Sequence, residues 1–153
     1  GFGNSGPYTI FRYDENGENG KAFITENIFW PQDIVFLEES KEILVSNFNT
    51  GKITKYNINT GAYIGDFATG LGEPTRMRIG ADNLLYVLQW SGDIKVTRYE
   101  LDGTFVDKCT NESVSQSIGI DWDTDGNLDI SSVNMGANAD GFVHKFNDAG
   151  ESQ

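Results

Sequence analysis

Pro31-Gln32-Asp33-Ile34-Val35-Phe36 returns in pattern as Pro74-Thr75-Arg76-Met77-Arg78-Ile79 and again as Ser117-Ile118-Gly119-Ile120-Asp121-Trp122, at intervals of 43 residues. Apolar side chains at alternate positions read as a half-buried strand. A short polar turn follows each copy, and then a second apolar run: Glu42 to Ser46, Leu84 to Leu88, Leu128 to Val133. Third runs stand at Gly51 to Asn57, Gly92 to Tyr99 and Gly141 to Asn147, the last after an insertion around residues 135–140, and Tyr8 to Asp14 is an N-terminal copy. Tyr13, Tyr56 and Tyr99 keep the 43-residue interval, and Phe146 follows 47 residues later. Fourth runs are Lys21 to Ile24, Ala62 to Phe67 and Thr104 to Lys108.

Asn59-Thr60-Gly61 and Asp102-Gly103 mark tight turns between the third and fourth runs. Such turns need a positive φ, which Gly and Asn accept with least strain. Four antiparallel strands repeating every 40 to 50 residues describe a β-propeller blade. The fold class is therefore all-β, with units at 1–30 (partial), 31–73, 74–116 and 117–153 (partial). A β-sandwich is the alternative, but sandwiches show turn signals without a long-range period.

The segment SIGIDWDTDGNLDI (117–130) resembles the opening of an NHL-type blade, in which a Gly-Ile strand leads through Asp-Gly-Asn to a second strand. EILVSNFNTGKITKYN (42–57) resembles the second and third strands of the same unit. The wider group includes the SMP-30/gluconolactonase-like and streptogramin-lyase-like propellers, so the resemblance implies a six-bladed ring. About three and a half blades can be counted here, fewer than the minimum of four. Either further blades belong to the ring or chains combine to close it. Gly141 to Phe146 and Tyr8 to Asp14 both read as third strands and would compete for one slot, which favours further blades.

The 153 residues carry 11 Lys+Arg against 23 Asp+Glu, a net charge of −12. That surface repels phosphate backbones and anionic lipid, so neither nucleic acid nor membrane is the expected partner. Apolar runs fall well short of the roughly 20 residues that span a bilayer. Cys109 is the single cysteine, which rules out an internal disulfide. No signal peptide is visible in these residues. The acidic, Asn- and Gly-rich surface, with a sequon at Asn111-Glu112-Ser113, leans towards an extracellular or cell-envelope location.

The sharpest local motif is Asp121-Trp122-Asp123-Thr124-Asp125-Gly126-Asn127-Leu128-Asp129. Its D-x-D-x-D-G-x-x-D spacing resembles the calcium loops of integrin-type repeats. Alternate carboxylates around a glycine turn can converge on Ca²⁺, which takes six to eight oxygens. Asp121, Asp123, Asp125 and Asp129, with the Asn127 carbonyl, would ligate. An EF-hand is excluded, because Ser132 stands where a bidentate Glu is needed. A plain Asp-Gly hairpin with solvated carboxylates reads equally from this spacing.

A lactonase would need polar residues from several blades around a central metal. Strand ends offer Asp33, Asn47, Asn49, Gln89, Asp121 and Asn134, with Arg76 and Met77 where a ligand would be wanted. Asn47, Asn49, Gln89, Trp90 and Asn134 equally suit a binding face, and Trp90 is the best aromatic contact. Trp30, Tyr86 and Trp122 read as blade-interface aromatics. His144 and Cys109 have no neighbouring motif that would activate them. The reading is a non-catalytic module that binds a protein or glycan through its loops. A metal-dependent lactonase and a structural repeat that self-associates in a surface assembly are the alternatives.

Overall fold

The computed structural model describes residues 6–133, 135 and 140–153. β1 (Ile10–Arg12) and β2 (Lys21–Ile24) pair as a two-stranded antiparallel sheet, blade 1. β3 (Pro31–Leu37), β4 (Glu42–Asn47), β5 (Lys52–Asn57) and β6 (Tyr63–Ala68) form blade 2 as a meander in chain order. β7 (Pro74–Ile79), β8 (Leu85–Gln89), β9 (Thr97–Tyr99) and β10 (Phe105–Lys108) repeat it as blade 3. β11 (Ser117–Trp122), β12 (Leu128–Ser132) and β13 (Phe142–Phe146) make blade 4, where a bridge from Phe146 to Ser152 begins a further pairing. The all-β propeller expectation is met.

The second strands β4 and β8 are buried on both faces, and strand alternation divides their side chains between two cores. From β4, Ile43 and Val45 pack with Ile24, Ile28 and Tyr56 towards blade 1, while Leu44 packs with Ile53, Phe67, Met77, Leu85 and Val87 towards blade 3. From β8, Tyr86 and Leu88 turn the other way, onto Ile120, Leu128, Ile130 and Phe146 of blade 4. Each such Leu or Ile contributes about 2 kcal/mol when fully buried. The blades thus hold one another, and a lone blade would expose both apolar faces.

The first strands β3, β7 and β11 lie side by side without a shared ladder. Side chains bridge them instead. Asp33 Oδ2 accepts the Met77 amide at 2.8 Å, and the Thr75 hydroxyl donates to the Ser117 carbonyl at 2.7 Å. Arg76 donates to the carbonyls of both flanking strands, Ile118 at 3.1 Å and Gln32 at 3.2 Å. A second inter-blade device is the glycine between third and fourth strands. Gly61 (φ 71°) lies so close to blade 1 that a Cβ would sit 2.1 Å from the Phe23 carbonyl oxygen. Gly150 (φ 75°) stands likewise over the Cys109 carbonyl.

One strand is shorter than its sequence pattern. Gly92 to Tyr99 reads as a full third strand, yet only Thr97–Tyr99 is β-paired. The Gln89 side-chain amide donates to the Asp93 carbonyl at 2.9 Å and the Lys95 carbonyl at 3.4 Å, occupying acceptors that a longer ladder would use.

Candidate functional site

Each first strand is preceded by a non-glycine residue in the left-handed region: Trp30 (φ 55°), Glu73 (φ 58°) and Gln116 (φ 53°). They keep the 43-residue interval. This conformation costs an L-residue roughly 1–2 kcal/mol, so the surroundings must impose it. They do so in the same way three times. The Trp30 carbonyl accepts the Phe48 amide at 3.2 Å, Glu73 accepts Trp90 at 3.0 Å, and Gln116 accepts Val133 at 3.0 Å. The rim of the fold at the heads of β3, β7 and β11 is therefore a built surface, where strain is stored as it often is at functional sites.

Aromatic rings line part of this rim. Trp30 packs on Phe48 with centroids 5.0 Å apart, and Phe48 on Trp90 at 6.2 Å. Trp122, by contrast, meets Tyr86 edge-on at 5.0 Å in the interface of blades 3 and 4. Glu73 is half-buried, and among the described residues its carboxylate has no hydrogen-bonding or ionic partner. Down the same strand, the Arg76 and Arg78 side chains are 48% and 53% exposed and share Asp33 as a distant counter-ion, 3.8 Å from each.

Asn47 and Gln89, read from the sequence as binding residues, are buried and already engaged. Asn47 Oδ1 accepts the Phe29 amide at 2.7 Å while Nδ2 donates to the Thr54 hydroxyl at 2.8 Å. Gln89 Oε1 accepts the Gly72 amide at 2.7 Å. Both carboxamides fasten the loop that enters the first strand of their own blade. An unpaired buried amide is costly, so a polar residue at a strand end is often consumed by backbone. Trp90 is half-buried on the rim and Asn49 is exposed there. Asn134 lies outside the described residues. Glu73 escaped the sequence reading; its signal was its place immediately before Pro74, in register with Trp30 and Gln116.

The Asp-rich segment is a closed hairpin. Asp123 Oδ1 accepts the amides of Asp125 and Asn127 at 2.9 Å each, and Oδ2 accepts the Asn127 side chain at 2.9 Å and Lys145 at 2.6 Å. Asp121 is exposed on β11 opposite Asp129, whose Oδ1 lies 3.8 Å from Lys145. Among the described residues no three acidic, His or Cys side chains converge on a point. Thus Asp121, Asp123, Asp125, Asn127 and Asp129 are not brought together as a ligand set. Ca²⁺ would have to displace Lys145 and open the turn, which calorimetric titration with Ca²⁺ measures directly.

The same contacts predict a pH dependence. Lys145, then the Asn127 side chain, hold Asp123 well below the ordinary 3.8, and Asp123 raises Lys145 above its ordinary 10.5. A depressed carboxyl stabilises the fold above its unfolded-state value and loses that contribution as pH falls through its native one. The raised lysine loses its share only as pH climbs through its own native value. Lys145→Met is therefore expected to move the acid unfolding midpoint to higher pH, as followed by circular dichroism. An unchanged midpoint would show that the contact carries nothing.

Burial pushes the Cys109 thiol up to about 11, so it is protonated and unreactive at neutral pH.

No protein-family model and no curated protein sequence matches the chain. Solved structures do match in shape. A gluconolactonase from Xanthomonas campestris superposes with a TM-score of 0.62 at 13% identity, over 82% of this chain and 47% of its own. A structural-genomics target described as gluconolactonase-like gives 0.65 at 15%, over 95% and 54%. Virginiamycin B lyase from Staphylococcus aureus gives 0.62 at 14%, over 94% and 50%. The chain spans about half the length of these proteins. In fold, then, it is a run of β-propeller blades.

Proposed function

We propose that the chain contributes to a ring-opening hydrolase of the lactonase type, with its substrate face at the heads of β3, β7 and β11. The observation that carries this reading is Glu73, a half-buried carboxylate without a partner among the described residues, on strained backbone at the mouth of three first strands. The gluconolactonase names of two shape neighbours support the same reading. Lactone hydrolysis adds water to the ester carbonyl, forms an anionic tetrahedral intermediate and expels the ring oxygen. Glu73 would take the proton from the attacking water. Arg76 and Arg78, exposed along the same strand, would stabilise the developing oxyanion and the carboxylate product.

A lactonase of this fold implies a central metal. The described residues offer one free carboxylate at the rim, short of the three or more ligands such a site takes. The test is pH-stat hydrolysis of D-glucono-1,5-lactone by the wild-type chain and Glu73→Gln. Hydrolysis above the buffer rate is expected, falling about 100-fold in the variant with an unchanged melting temperature. A wild-type rate equal to buffer would overturn the reading.

The Trp30–Phe48–Trp90 row favours a second reading, glycan recognition by stacking without turnover. Quenching of tryptophan fluorescence by an oligosaccharide that is not consumed would distinguish it.

A further inference from the structure

Blade 4 departs from its sisters at the end of its second strand, and a pocket stands there. The last residue of the second strand is Asn47 in blade 2 and Gln89 in blade 3, each paired across its sheet with the proline that opens the first strand. The equivalent residue of blade 4 is Ser132, paired with Ser117. In blades 2 and 3 the carboxamide fills the space under the rim by capturing the amides of Phe29 and Gly72. Ser115 is the next position at that interval. A serine side chain has two fewer heavy atoms than asparagine and three fewer than glutamine. Ser132 turns instead to the neighbouring strand, where its hydroxyl meets His144 Nε2 at 3.1 Å. His144 occupies the register position that Thr54 holds opposite Val45 in blade 2, being opposite Ile130. A pocket of about 310 Å³ lies beside Ser132 and His144.

From this we infer that the blade 4 cavity is a binding site for a neutral, polyhydroxylated ring of monosaccharide size. The floor is the Ser132–His144 pair, with Ser132 8% exposed. Ser113, Ser115 and Gln116 stand at its edge, and Val133 and Phe142 form an apolar wall. Phe142 is 54% exposed, so its ring is available to the C–H face of a sugar. Hydroxyls, a carboxamide and an imidazole can each serve hydrogen bonds to ligand hydroxyls. Among the described residues the lining contains no carboxylate, ammonium or guanidinium, which argues against a charged ligand. Its volume lies at the small end of ligand pockets. Glu73 is not among the residues that line this cavity, although Gln116 belongs to the same rim, and the inference does not depend on the lactonase reading.

The chain has a single histidine, so its imidazole NMR signals report on this cavity without ambiguity. D-glucose, D-galactose, D-mannose and N-acetyl-D-glucosamine would each be titrated against the labelled chain. At least one is expected to shift the His144 signals saturably, with a Kd in the millimolar range. Ser132→Asn restores the residue of blade 2 and should lower that affinity at least about tenfold while keeping or raising the melting temperature. Phe142→Ala, at an exposed strand position, should weaken binding similarly and serves if the asparagine variant misfolds. The inference fails if none of the sugars moves the signals up to about 50 mM, or if either folded variant binds as the wild type does.

Discussion

Gly61→Ala is expected to destabilise the chain by about 3 kcal/mol, lowering its melting temperature by roughly 6–12 °C. Two effects add at this residue. At φ 71° an alanine would occupy the left-handed region, and its Cβ would lie 2.1 Å from the Phe23 carbonyl oxygen and 2.9 Å from the carbonyl carbon. The obstacle is backbone of the neighbouring blade, so no side chain can swing away, and blades 1 and 2 must separate. Gly17 supplies the control. Its φ is 76°, but a Cβ there meets nothing within 4 Å. Gly17→Ala should cost only the backbone strain, about 1 kcal/mol. Denaturant titration of the two variants separates conformational strain from inter-blade collision; equal losses would refute the close packing at Gly61.

Tyr56→Ala is expected to cost about 4 kcal/mol, whereas Tyr56→Phe should cost about 1.5 kcal/mol. The ring is fully buried between blades 1 and 2 and meets Tyr63 edge-on at 5.8 Å. Its removal leaves a cavity that two stiff sheets cannot collapse to fill. The hydroxyl donates to the Asn27 carbonyl at 2.8 Å and accepts from the Thr54 hydroxyl at 3.0 Å. Burial accordingly pushes the phenol up to about 12. Phenylalanine keeps the volume and leaves the Asn27 carbonyl and the Thr54 hydroxyl each short of a partner. Equilibrium unfolding of both variants checks the ratio. Similar losses for the two would mean that the hydroxyl, not the ring, holds this interface.

The blades were legible because their strands are written in local code. Alternation in Ile43-Leu44-Val45 and turn glycines such as Gly61 need no knowledge of distant residues. What could not be read depends on side chains that meet across the chain. The shortening of β9 follows from Gln89 reaching Asp93 and Lys95. Asn47 and Gln89 look like ligand residues from position alone; their capture by Phe29 and Gly72 is visible only in three dimensions. The Asp121–Asp129 spacing suits calcium, but Lys145, on a separate strand, occupies Asp123. Trp30, Glu73 and Gln116 share a conformation and no chemistry, so only their spacing could have hinted at a common role. The exposed polar rim was anticipated, though not the carboxylate that makes it a candidate catalytic site.

The central claim is that successive 43-residue units stand around one axis, with β3, β7 and β11 adjacent but unpaired. Amide hydrogen exchange at Met77 tests this most directly. In a propeller this amide points off the edge of its sheet, and Asp33 from the neighbouring blade holds it at 2.8 Å. Slow exchange is expected at Met77 in the wild type and fast exchange in Asp33→Ala, with the Val87 amide in β8 protected in both. Slow exchange at Met77 that survives Asp33→Ala would mean that a strand partner covers that edge, and would contradict the arrangement.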